Sequence, residues 1–167
     1  IRNTLEIIKD NGGVGVMSRT GHVFMKKEMR EHDAIYGGEI SAHHYFRDFA
    51  FCDSGMIPWL LLVEHLSEVN EPLSFIFKDR FEKFPSSGEQ NFLVDDPNST
   101  INFLAKKYED CGTMDYTDGL SVNLKDWRFN LRKSNTEPYL RLNVEGMNAF
   151  IVEQGVKKIV KIIKRGR

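Results

Sequence analysis

The sequence predicts an α/β domain with a mixed sheet, followed by an α+β domain with an antiparallel sheet flanked by helices. Three observations point there. Up to Phe84, short apolar runs alternate with amphipathic helical stretches. Pro85-Ser86-Ser87-Gly88 then has the composition of a linker. Beyond it, strand signals crowd together around Asp118-Gly119, a hairpin-turn dipeptide. We therefore expect residues 1–84 and 89–167 to form two domains, with a hinge at 85–88.

Each element has its own local reason. Leu5, Ile7 and Ile8 ahead of Asn11-Gly12-Gly13 mark the end of a helix closed by glycine. Val14 to Met17 is expected as a short buried strand, and Val23 to His32 as an amphipathic helix. Ala34-Ile35-Tyr36 reads as a second strand running into Gly37-Gly38. His44 to Phe51 alternates aromatic and polar residues, a strand pattern. Asp53 or Ser54 can cap a helix carrying Ile57, Leu60, Leu61 and His65, and Pro72 opens another through Phe81. Past the linker come a strand (Asn91 to Val94) and a helix (Pro97 to Tyr108). Strands over 114–116, 120–124, 127–131 and 139–144 follow, then a helix from Met147 to Arg165.

Composition narrows the function classes. With 167 residues, 41% hydrophobic and 28% charged, the chain is that of a soluble globular protein. A net charge of −1 offers no general attraction for nucleic acid or anionic lipid, so neither a nucleic-acid nor a membrane partner is expected. Cys52 and Cys111 lack metal-ligand spacing and are expected to be reduced, buried thiols of a cytoplasmic protein. The longest apolar run, Met56 to Val63, contains Pro58 and is too short to cross a membrane. The start at Ile1 resembles the middle of a helix, so the chain is expected to belong to something longer.

Two stretches carry chemistry. Arg132-Lys133-Ser134-Asn135-Thr136-Glu137-Pro138 lies between two strands. A phosphate dianion calls for a bidentate cation, hydroxyl donors and a tight turn presenting backbone N–H groups. Arg132 supplies the fork, Ser134 and Thr136 the hydroxyls, and Asn135 tolerates left-handed backbone. The same residues also describe a polar hairpin loop with a capping serine, the commoner case for such a composition. In Gly37-Gly38-Glu39-Ile40-Ser41-Ala42-His43-His44, alternation would put Glu39 and Ser41 on one side, suited to vicinal sugar hydroxyls. His43 beside Glu39 would suit proton transfer. The plainer reading is a strand end whose acid pairs with a histidine. Adjacent His43 and His44 point to opposite faces of a strand and cannot share an ion, so no metal site is expected.

Other motifs carry less. Thr20-Gly21-His22 is a third loop with a histidine. Gly12, Gly13, Gly15 and Gly21 form no dinucleotide fingerprint, and no Gly-Lys-Ser or Gly-Lys-Thr follows them. The basic tail from Lys157 reads as a packed helix, with Val156, Ile159, Val160 and Ile163 on its buried stripe.

Taken together, these loops resemble the α-D-phosphohexomutases, the bacterial phosphomannomutases most closely, and specifically their third and fourth domains. The resemblance runs through Thr20-Gly21-His22, Gly37 to Leu62, Phe84 to Glu89, Asp118-Gly119 and Trp127 to Glu145. It implies that Glu39 and Ser41 grip the 3- and 4-hydroxyls of a hexose phosphate. His43 and His22 would line the same cleft, His43 as a proton-transfer group, and Arg132, Ser134, Asn135 and Thr136 would hold the phosphate. Asn135, where related mutases for other sugars tend to carry glycine, favours mannose or mannose/glucose phosphate. Ile40 replaces the family's usual methionine.

The family's phosphoserine and Asp-Gly-Asp magnesium loop are absent from these residues. The resemblance therefore places Mg2+ and a glucose or mannose bisphosphate activator in the missing half, with the N-terminal domains of the same enzyme as partner. This piece by itself is expected to bind no cofactor and to be inactive. A non-catalytic sugar-phosphate-binding module is the alternative.

Overall fold

A computed structural model describes residues 1–134, 137 and 139–164. It forms two compact units, one of Ile1–Gly15 with Asp79–Arg167, the other of Val16–Lys78.

In the first unit, β4 (Gln90–Leu93), β5 (Thr113–Asp115), β6 (Leu120–Asn123), β7 (Trp127–Lys133) and β8 (Tyr139–Gly146) build a sheet in the order β4-β8-β7-β6-β5. Every neighbouring pair is antiparallel. Strand periodicity sends Leu120 and Val122, Phe129 and Leu131, and Leu140, Leu142 and Val144 into the core, all fully buried. Each such side chain contributes roughly 1.5–3 kcal/mol by leaving water. Helices α5 (Pro97–Tyr108) and α6 (Ala149–Ile163) bring Leu104, Tyr108, Val152, Ile159 and Ile163 to the same core. Arg165, the expected end of the last helix, lies outside the described residues.

Both helix starts are capped. Asp96 accepts from the Ser99 amide ahead of Pro97, and Asn148 accepts from the Ile151 amide. Gly155 lets α6 sit against the sheet, because a Cβ there would come 2.7 Å from the Trp127 ring. The opposite sheet face is polar and carries Arg128, Asn130 and Arg132 on β7 and Arg141, Asn143 and Glu145 on β8.

Helix α1 (Arg2–Asp10) belongs to this unit because Glu145 holds its start. The Ile1 ammonium lies 3.3 Å and the Arg2 amide 2.9 Å from the Glu145 carboxylate, while Glu6 pairs with Arg80 and Lys83. The expected hinge is itself tied to β8. Ser87 donates its amide to the Val144 carbonyl and accepts from the Val144 amide, and the Pro85 carbonyl accepts from Gly146.

The second unit comprises α2 (His22–Glu31), β1 (Tyr36–Gly38), β2 (His44–Phe46), one turn of 3-10 helix (Arg47–Phe49), β3 (Cys52–Asp53) and α3 (Met56–Val69). Helix α4 (Leu73–Lys83) leads out of it. Its sheet, β1-β2-β3, is antiparallel and not mixed. The connections explain the difference. A short turn and a single 3-10 turn are far too short for the crossover that parallel pairing requires.

Val14 to Met17 is irregular and not a strand, with Val14 89% exposed; no described strand pairs with it. Helix α3 forms as expected, yet Trp59, Leu60 and Leu61 stay more than half exposed. Cys52 is half-buried and Cys111 exposed, both free, which corrects the expectation of buried thiols. No described helix is long and apolar enough to cross a membrane.

Candidate functional site

In the second unit the chain turns back on itself between β1 and β2. The Glu39 amide donates to the His43 carbonyl and the Ala42 amide to the Glu39 carbonyl, both at 3.0 Å, and Ala42 adopts φ 63°. A turn, and not strand alternation, thus brings Glu39 and Ser41 together. The Ser41 hydroxyl donates to Glu39 Oε2 at 3.3 Å, and Tyr45 donates its phenolic proton to Glu39 Oε1 at 2.6 Å. Tyr45 is fully buried. Burial, then the hydrogen bond to Glu39, push its phenol far above the usual range, so it remains a donor.

His43 finds its carboxylate elsewhere than expected. Pairing of β2 with β3 sets Tyr45 opposite Asp53, and Asp53 Oδ2 accepts from His43 Nδ1 at 2.7 Å. Its other oxygen accepts from the His44 amide at 2.9 Å. A carboxylate only accepts, so Nδ1 carries the proton and Nε2 is the nitrogen able to exchange one. Burial opposes ionisation of Asp53, but the bonds from His43 and the His44 amide outweigh it and hold the carboxyl below its usual value.

His22, at the start of α2, packs edge-on to His43 with ring centroids 4.7 Å apart, and its Nε2 lies 4.0 Å from Asp53. Helix, turn and strand thereby gather His22, Glu39, Ser41 and His43 in one unit. His44 points elsewhere and bonds Tyr36 at 2.6 Å.

Among the described residues, His22, His43 and Asp53 are the group whose donor atoms, within 4.8 Å, come close enough to share a metal ion. Two imidazoles and one carboxylate are not the oxygen set that Mg2+ takes, so these residues do not fit a magnesium ion, which the family resemblance assigns to other domains.

The phosphate-loop candidate lies in the first unit, between β7 and β8. Asn135, Thr136 and Pro138 fall outside the described residues. Ser134 closes the base of the loop, donating its amide to the Tyr139 carbonyl at 2.8 Å. Arg132, 12% exposed, donates from Nη2 to Glu89 Oε2 at 3.1 Å, with Nε 3.7 Å from Asp118. Gly119, at φ +75°, follows Asp118 in the β5–β6 turn. A Cβ there would come 2.6 Å from the Leu131 carbonyl oxygen and from the Arg132 Cβ, so only glycine lets that turn lie against the arginine.

Sequence reasoning missed the role of Asp53, read with Ser54 only as a candidate helix cap. The N-cap of α3 is Gly55, and Ser54, just before it, accepts from the Ile57 amide at 3.4 Å. It also missed Tyr45, Glu89 and Arg141. Cross-strand pairing brings in all but Glu89, which lies just before β4, and no spacing rule announces it.

Comparison with known proteins identifies the family of the chain that carries these two clusters. Residues 2–84 match the model described as phosphoglucomutase/phosphomannomutase, alpha/beta/alpha domain III, and residues 90–162 match the phosphoglucomutase/phosphomannomutase C-terminal domain. The chain belongs to the phosphoglucomutase/phosphomannomutase family. It is 53% identical over 144 residues to a phosphomannomutase of Escherichia coli K12, covering 86% of this chain and 32% of that one. With a phosphomannomutase of Vibrio cholerae it shares 49% identity over 166 residues, 98% of this chain and 36% of the relative.

A solved phosphoglucomutase/phosphomannomutase family protein of Burkholderia thailandensis superposes with a TM-score of 0.77 at 27% identity. The match covers 99% of this chain and 36% of the other. The chain thus spans about a third of the length of its relatives.

Proposed function

We propose that this chain supplies the sugar-gripping and phosphate-gripping parts of a phosphomannomutase that interconverts mannose 6-phosphate and mannose 1-phosphate through a bisphosphate. The observation that carries the reading is the largely buried Arg132, which precedes the sequence Ser134-Asn135-Thr136 in a chain about half identical to phosphomannomutases. Arg132, Ser134, Asn135 and Thr136 hold whichever phosphate is not reacting, by charge-assisted hydrogen bonds. Glu39 and Ser41 take the 3- and 4-hydroxyls, which exchange places when the sugar turns over, so one grip serves both orientations. His43, oriented through Nδ1 by Asp53, exchanges a proton at Nε2 with the reacting hydroxyl, and His22 lines the same pocket wall.

The phosphoryl group and Mg2+ belong to the N-terminal domains, the partner this reading requires. The division into 1–84 and 89–167 with a hinge at 85–88 is part of the same proposal. The two family matches support it, although the compact units group residues 1–15 with the second half. By itself the chain binds hexose phosphate weakly and turns over none.

The test is an amide NMR titration of this chain with mannose 1-phosphate. Shifts at 132–136 and at 39–43 support the reading. Absence of any shift near Arg132 at high ligand concentration sinks the phosphate assignment. Conversion of mannose 1-phosphate by the purified chain sinks the expectation of inactivity.

A further inference from the structure

Arg132 and Arg141 are direct cross-strand partners in the β7–β8 register and lie on the same sheet face. Like charges placed directly opposite are destabilising unless something neutralises them. Here it is Glu89, which gives one oxygen to each guanidinium. Oε2 accepts from Arg132 Nη2 and Oε1 from Arg141 Nη1, both at 3.1 Å. Arg141 reaches further. Its Nη2 donates to the Ser134 hydroxyl at 3.1 Å and lies 3.6 Å from Glu137, which places this side chain beneath both ends of the loop. Its Nε is buried without a hydrogen-bond partner among the described residues, a cost the fold accepts to keep the guanidinium there.

We infer that Arg141 is a positioning residue of the phosphate loop and that Glu89 is a resident counter-anion, holding the two guanidiniums together until a phosphate takes its place. The inference rests on the phosphate reading above. A phosphate, like this carboxylate, can accept a charge-assisted hydrogen bond from each of the two guanidiniums through separate oxygens. Arg141 acts through Ser134, whose hydroxyl it orients, and through Arg132, whose carboxylate it shares. A Lys in its place keeps the charge but replaces the rigid fork, whose two separate nitrogens reach Glu89 and Ser134, with a single ammonium on a flexible stem.

The test uses this chain and two probes, inorganic phosphate and mannose 1-phosphate, titrated by amide NMR, with urea unfolding of each variant alongside. Arg141→Ala and Arg141→Lys are expected to weaken phosphate binding about tenfold, by loss of charged hydrogen bonds, and to shrink the ligand-induced shift at the Ser134 amide. Glu89→Gln is the discriminating variant. It should lower the urea midpoint, because the arginine pair loses its neutraliser, yet tighten phosphate binding about threefold, because the internal competitor is gone.

A purely structural Glu89 would lower both, and that result overturns the inference. So does an Arg141→Lys chain that binds phosphate as the unsubstituted chain does. If the unsubstituted chain binds and Arg132→Ala does not, while the Arg141 variants are unchanged, the phosphate reading survives and this inference fails. No binding by the unsubstituted chain overturns both.

Discussion

The polar face of the β7–β8 pair carries two arginine-centred clusters a few residues apart, and they are built on opposite principles. At one end Arg128 stands opposite Glu145, charge against countercharge, with Arg128 also bonding Asn123 and Glu145 also holding the start of α1. Arg128 is 8% exposed and Glu145 13%. At the other end Arg132 stands opposite Arg141, like against like, and the balancing carboxylate comes from Glu89, outside the strand pair. The first arrangement is complete in itself and serves to lock the fold. The second leaves two guanidiniums sharing one carboxylate from outside the strand pair, the arrangement from which the phosphate proposal above is argued.

Four outcomes would break or sharpen this contrast. The largest effect is expected from Glu145→Ala, which leaves the Arg128 guanidinium buried without its partner and should cost about 3 kcal/mol in urea unfolding. A loss below about 1 kcal/mol would show that the first cluster locks nothing.

Arg132→Ala should weaken mannose 1-phosphate binding by about 2 kcal/mol, roughly 30-fold, with under about 1 kcal/mol of stability lost. If stability fell as much as with Glu145→Ala, the two ends would be alike and the comparison would collapse.

Gly119→Ala should cost about 1–2 kcal/mol, because a side chain at φ +75° is strained and would strike the backbone beside Arg132. Its sharper signature is a perturbed Arg132 Nε resonance with the Arg128 Nε unchanged.

The smallest effect concerns pH. Burial raises the Glu145 carboxyl, but the Ile1 ammonium, the Arg2 amide and Arg128 outweigh it and leave the group below its ordinary value. Its contribution to stability is therefore full above about pH 4.3 and is lost as pH falls through the lowered folded value. Asp53 behaves the same way from its own ordinary value. A Glu145→Gln chain should show a flatter loss of stability below that pH than the unsubstituted chain; parallel acid profiles would remove Glu145 from the account.

Elements whose cause is local are legible in the amino-acid sequence. Pro97–Tyr108, the Asp118-Gly119 hairpin and the Ile159/Ile163 stripe follow from a cap, a turn dipeptide and a 3.6-residue period. The expected strand at Val14 to Met17 did not follow, because an apolar tetrapeptide becomes a strand only where a partner strand offers its hydrogen bonds. The candidate site divides in the same way. Glu39, Ser41, His43, His22, Arg132 and Ser134 stand in short contiguous motifs. Asp53, Glu89 and Arg141 lie 10, 43 and 9 residues from the groups they serve, His43 and, for the latter two, Arg132.

By itself, then, the chain's order of residues determined which turns, caps and helical faces form, and which donors sit together in a loop. Only the tertiary structure decided which carboxylate orients His43, which one neutralises the arginine pair, and that the β1-β2-β3 sheet is antiparallel. Those outcomes depend on strand register and connection length. A one-residue slip would send every side chain to the other face, and no local propensity records it.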